Sequence, residues 1–169
     1  MRSRNFLALV LTVSFSAFLL SSCEKGKDGD PGKPGKVNVS SHTYAVNKWS
    51  LNGSVWFANF PVSELTPKNN DSASVQVYFG VGNGTWQALP RVQVEGGNNY
   101  FMNYSTAKDT IQVQWVSNSI LFKGDDPNSY YNTVSQFKVV VIPPVALKAK
   151  PDVDLRDYQA VKRAFEIRN

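Results

Sequence analysis

The chain is short of the side chains on which most chemistry depends. Its 169 residues hold one cysteine and one histidine. No cysteine follows Cys23, so no intramolecular disulfide can form even in an oxidising compartment. The fold must hold by packing alone, which is ordinary at this size. A single histidine with no spare thiol argues against zinc. No glycine-rich loop ends in Gly-Lys-Ser/Thr and no Gly-x-Ser-x-Gly elbow occurs, so neither a P-loop nor that type of nucleophile is supported. Carboxylates in the middle of the chain are Glu64, Asp71, Glu95, Asp109, Asp125 and Asp126. None forms a spaced pair on one strand face, as glycoside hydrolysis would require. Asp125-Asp126-Pro127-Asn128 lacks the alternate spacing and glycine of a calcium loop and reads as a solvated turn. The basic residues Lys48, Lys68, Arg91, Lys123 and Lys138 are scattered singly, not gathered into a nucleic-acid patch. His42 lies in Ser40-Ser41-His42-Thr43-Tyr44, where alternation makes it a polar strand residue. Only a cleft joining it to a carboxylate would point to an enzyme. No catalytic residue, metal or cofactor is assigned.

The longest apolar run is also too short to span a bilayer. Phe6 to Leu20 gives about 15 residues, against the roughly 20 required. Arg2 and Arg4 precede it, and Leu20-Ser21-Ser22-Cys23 follows. This is the layout of a secretory signal peptide, and its end resembles a bacterial lipobox. Residues 1–22 are then removed and Cys23 becomes the acylated first residue, with several acyl chains anchoring more stably than one. The remaining 147 residues suit one domain. Without Arg2 and Arg4, 16 basic side chains face 13 acidic ones, a mild surface excess.

Residues 24–36 read EKGKDGDPGKPGK, with Gly26, Gly29, Gly32 and Gly35 at a period of three. The repeat is that of collagen, where only glycine fits the triple-helix axis. Four triplets cannot hold three chains without help from the following domain. The segment reads first as an extended hydrophilic tether, reaching roughly 40 Å at about 3.1 Å per residue. A tether-assisted trimer stays open beside the monomer.

From residue 37 the period changes to two. Val75, Val77, Phe79 and Val81 share one face of Ser74–Val81, and Ile111, Val113 and Trp115 one face of Thr110–Ser117. Arg91–Glu95 and Tyr100–Tyr104 flank Gly96-Gly97-Asn98-Asn99, a hairpin loop, and Lys108-Asp109 makes the next turn. Val55–Ala58 and Phe137–Ile142 are apolar on both faces and belong under a covering element, the second ending at Pro143-Pro144. With Val37–Val46 and Trp86–Leu89 the count is about eight strands. The fold class is mainly β: an antiparallel, jelly-roll-like β-sandwich over 37–146 with a C-terminal amphipathic helix within 147–169. That helix is predicted to start at an Asp154 cap, with Leu155, Tyr158, Val161 and Phe165 as its apolar stripe.

Large aromatics in small β domains are mostly core. Trp115 and Trp56 read so. Trp49 and Trp86 stand beside turns, and Tyr130 and Tyr131 in the long loop 123–135, so these four form a candidate ligand platform.

Ser74–Tyr78, Gly84–Pro90 and Phe137–Pro143 together resemble a family of small Bacteroidota-type lipoproteins of unknown function, which carry a lipobox, a collagen-like tether and a β domain. The resemblance brings no activity. It implies O-glycosylation at Asp-Ser/Thr-aliphatic sequences, here Ser72 and Thr110. Export ending in an acylated Cys23 is expected to leave the protein at the outer membrane. Glu24 follows Cys23 without a run of acids, which leaves the membrane face open and leans periplasmic. The partners then are the membrane, through lipid, and a glycan or an envelope protein.

Overall fold

Alternating side chains build two sheets around one interior. The computed structural model describes residues 38–66, 72–95, 97–117 and 126–168. The signal segment, Cys23, the tether, Asp71, Gly96 and Asp125 lie outside the described residues. One sheet has the order β1 (Ser40–Val46), β9 (Ser135–Ile142), β4 (Ser74–Gly80), β5 (Trp86–Ala88). The other runs β2 (Ser50–Asn52), β3 (Val55–Pro61), β8 (Thr110–Ser117), β7 (Asn98–Ala107), β6 (Arg91–Glu95). Every pairing is antiparallel. The pairs β1–β9 and β3–β8 nest like those of a rolled-up hairpin, while β4–β5 and β6–β7–β8 are local hairpins.

There are nine strands among the described residues, not eight. The addition is β2, which Gly53-Ser54 turns onto β3, with Gly53 at φ +60°. Such a two-residue turn needs a positive φ, which glycine supplies without steric cost. Glu95 pairs with Asn98, so Asn98 and Asn99 belong to β7 and not to the loop.

Val75, Val77 and Phe79 meet Phe137, Val139 and Val141 on the inner face of the first sheet, against Phe60, Met102, Ile111, Val113 and Trp115 from the second. The outer face of the first sheet carries Tyr78, Val140 and Ile142, covered by Ala146, Tyr158, Val161 and Ile167. This explains why β9 is apolar on both faces. The cover is two short helices, α2 (Pro144–Ala149) and α3 (Tyr158–Ala164).

The C-terminal helix starts later than the sequence suggests. Asp157, not Asp154, is its cap and accepts the Gln159 N–H at 2.8 Å. Residues before it are held in a turn, because the Tyr78 hydroxyl donates to the Leu155 carbonyl at 2.7 Å and Asp154 accepts the Arg156 N–H. A third helix, α1 (Pro127–Tyr131), is capped by Asp126 through the Asn128 and Ser129 N–H groups. The expected solvated turn is thus a helix start, with Pro127 at a position where its missing N–H costs nothing. No helix among the described residues is long and apolar enough to cross a membrane.

Candidate functional site

The four aromatics expected to form a platform are not brought together. Trp49 is 4% exposed, against Phe137 in the core. Its indole N–H donates to Asn128 Oδ1 at 3.2 Å. Asn128 also accepts the Ser135 N–H and donates to the Val46 carbonyl, so it ties α1 to two strands. Trp86 lies on the opposite side of the first sheet, where the Lys138 ammonium stands 4.9 Å from its ring and 4.9 Å from that of Tyr158. That position serves α3 packing. Tyr130 stacks among Tyr100 and Trp115, and Tyr131 among Phe79 and Trp115, closing one end of the sandwich. Only Tyr131 of the four borders a recess that also gathers polar side chains from β5 and β6. Ser72 is exposed just before β4, while Thr110 is half-buried at the start of β8. The Asp109 backbone beside Thr110 is bonded to Leu65 and Val62.

His42 does meet a carboxylate. Its Nε2 lies 2.6 Å from Glu64 Oε1, and the Ser63 hydroxyl donates to Glu64 Oε2 at 3.3 Å. The Ser63 hydroxyl bonds the carboxylate and not the imidazole. The pair, with the Tyr44 hydroxyl donating to the Pro61 carbonyl, ties the β3–β4 connection to β1. Burial raises the Glu64 pKa, but hydrogen bonds from His42, its own backbone and Ser63, together with the His42 charge, bring it net below the usual value. A depressed carboxylate contributes stability above its unfolded value, about 4.3, and loses it as pH falls through the folded value. The melting temperatures of wild type and Glu64→Gln should therefore differ near neutral pH and converge in acid. A difference that instead widens in acid would contradict this pairing. Among the described residues no three metal-capable side chains gather.

The more informative place is β6, whose polarity is inverted. Val92 and Val94 are 54% and 69% exposed, with Phe101 on β7 beside Val92 also exposed. Arg91 and Gln93 instead turn toward the sandwich and are half-buried. The Arg91 guanidinium lies 5.6 Å from the Phe79 ring and donates from Nη2 to Gln93 Oε1 at 2.8 Å. The Tyr131 hydroxyl reaches the same oxygen at 3.4 Å. Arg91 Nη1 is buried with no acceptor among the described residues. A buried unsatisfied donor costs about 1–3 kcal/mol, more when charged. In front of these groups is a recess of about 300 Å³, bordered by Phe79, Gln87, Arg91, Gln93 and Tyr131. A larger hollow of about 380 Å³ beside α2 and α3 borders none of the buried unsatisfied atoms.

β6 is also the outer strand of its sheet. The edge strands β2 and β5 have three residues each, and β1 is tied to the connection after β3. No backbone bond joins β6 to anything but β7 among the described residues. Sequence reasoning passed over Arg91 as one scattered base. The signal was the alternation of Arg91-Val92-Gln93-Val94-Glu95, which does not say by itself which face is inside. Compared with known protein families, with curated proteins and with solved structures, the chain matches none.

Proposed function

We propose that this is a lipid-anchored, non-catalytic envelope protein whose folded domain binds a protein partner along β6. Export and acylation rest on the Leu20–Cys23 sequence and place the domain on a short tether at the outer membrane. The observation that carries the binding role is the Arg91 guanidinium, half-buried and without a carboxylate among the described residues. Beside it the outward valines of an edge strand supply what a partner strand needs. Added strands gain affinity from main-chain hydrogen bonds and specificity from pockets for alternate side chains. The partner that fits presents an extended segment with a carboxylate on one face and apolar residues on the other.

The test is calorimetric titration of the mature protein with the blocked peptide acetyl-Val-Glu-Val-Thr-Val-amide. Arg91→Gln should weaken binding about 10–100-fold, the worth of one charge-assisted hydrogen bond. Replacing the peptide glutamate by glutamine should do the same, and N-methylating alternate peptide amides should abolish binding. Equal affinity for wild type and Arg91→Gln would remove the reading. Saturable binding of a neutral glycan, indifferent to Arg91→Gln, would replace it with the carbohydrate alternative.

A further inference from the structure

Resting on that reading, we infer that the strand added to β6 is β6 of a second copy of this chain. The segment Arg91-Val92-Gln93-Val94-Glu95 is complementary to itself when reversed. Set antiparallel about Gln93, Arg91 of each copy falls opposite Glu95 of the partner subunit, and Val92 falls opposite Val94 of the partner subunit. Opposite charges directly across an antiparallel pair are stabilising, as are paired β-branched side chains. The arrangement has two-fold symmetry, so the same patch serves both copies and the contact closes on itself.

Three structural observations fit this occupant. Arg91 has a buried Nη1 without an acceptor among the described residues, and its side chain borders a recess of about 300 Å³, room for one carboxylate side chain. Val92, Val94 and Phe101 are exposed on the face that the second copy would extend. The outer edge of β6 has no backbone partner among the described residues, whereas exposed edges are normally blunted by short length, charge or a covering element. Pairing joins two five-stranded sheets into one continuous sheet.

Charge reversal tests the register. Sedimentation of the mature protein in detergent should show a monomer–dimer equilibrium. Arg91→Glu and Glu95→Arg should each raise the dissociation constant at least tenfold, by setting like charges opposite one another. The double variant Arg91→Glu/Glu95→Arg should restore dimerisation to within about threefold, which only this antiparallel register predicts. Circular dichroism checks that each variant is folded. If a reversal unfolds the domain, Gln93→Cys provides the second test: two copies of this position meet on the axis, within reach of a disulfide. Its oxidation should yield a covalent dimer, and the same change at exposed Ser105 should not. A monomer at all concentrations, a trimer, or a double variant no better than the singles would overturn the inference. If the acidic peptide still binds through Arg91 to a strictly monomeric protein, self-pairing alone has failed. If it does not bind either, the binding role of β6 falls with it.

Discussion

Trp49→Ala costs the domain about 3–5 kcal/mol, the usual loss for truncating a large buried aromatic. Against a typical total of about 5–15 kcal/mol, that is a large share of what keeps a domain folded. The cause is the ring's position between β1 and β2, edge-on to Phe137 and 4% exposed. Trp49→Phe separates packing from hydrogen bonding. It keeps an aromatic in the site and removes the indole donor to Asn128 Oδ1, which still accepts the Ser135 N–H. Its loss should be nearer about 0.5–1.5 kcal/mol for the bond, with a further packing cost from the smaller ring. Urea unfolding at 25 °C measures both. A change below about 1 kcal/mol for Trp49→Ala would mean that the side chain is not part of the core, and would return it to the surface as a ligand contact.

The second large effect is expected from Val161→Asp. Val161 is fully buried in the layer between α3 and the first sheet, with Tyr78, Val140, Ile142 and Tyr158. A carboxylate there enters an apolar layer, and burying a charge is costly unless it is paired and hydrogen-bonded. The chain escapes by undocking α3, which uncovers the apolar outer face of β4 and β9. Each fully buried aliphatic side chain so exposed forfeits about 1.5–3 kcal/mol. Hydrogen exchange should show protection lost over Tyr158–Ala164 first, with β7 and β8 keeping theirs, because their buried residues belong to the core on the other face of the first sheet. Unchanged protection of α3 would show that the helix does not depend on this seam.

Much of the architecture could be read from the alternation of single residues. Val75, Val77 and Phe79, like Ile111, Val113 and Trp115, face inward as their period requires. Phe137–Ile142, apolar on both faces, did require a cover, and the C-terminal segment provides it. The helix start was misplaced because two aspartates, Asp154 and Asp157, compete for the cap. The choice is made by Tyr78, which is 77 residues away from the Leu155 carbonyl it binds. Trp49 was misjudged for a similar reason. A turn at Asn47-Lys48 suggests exposure, but α1 folds over the indole and gives its N–H a partner. The proposed interaction site was least legible. Strand periodicity assigns Val92 and Val94 to one face and Arg91 and Gln93 to the other, and hydrophobicity favours burying the valines. The structure does the reverse, because Phe79, Gln93 and Tyr131 take up the guanidinium at the end of the sandwich. The approach of Glu64 to His42 joins two segments 22 residues apart and left no local trace.

The position of β9 has a consequence for the order in which the protein can fold. It is an interior strand of its sheet, bonded to β1 on one side and to β4 on the other, yet it ends at Ile142 of a 169-residue chain. Until residues 135–142 are available, β1 has no partner and β4 has only the short β5. Nascent chains that stop earlier can make the local β6–β7–β8 meander but cannot close the sandwich. Loop closure between β1 and β9 must precede the contacts that reward it, which places folding in the slow, non-local regime of all-β domains, about milliseconds to seconds. As the chain emerges N-terminus first, β1 therefore stays unpaired until the last strand has been made.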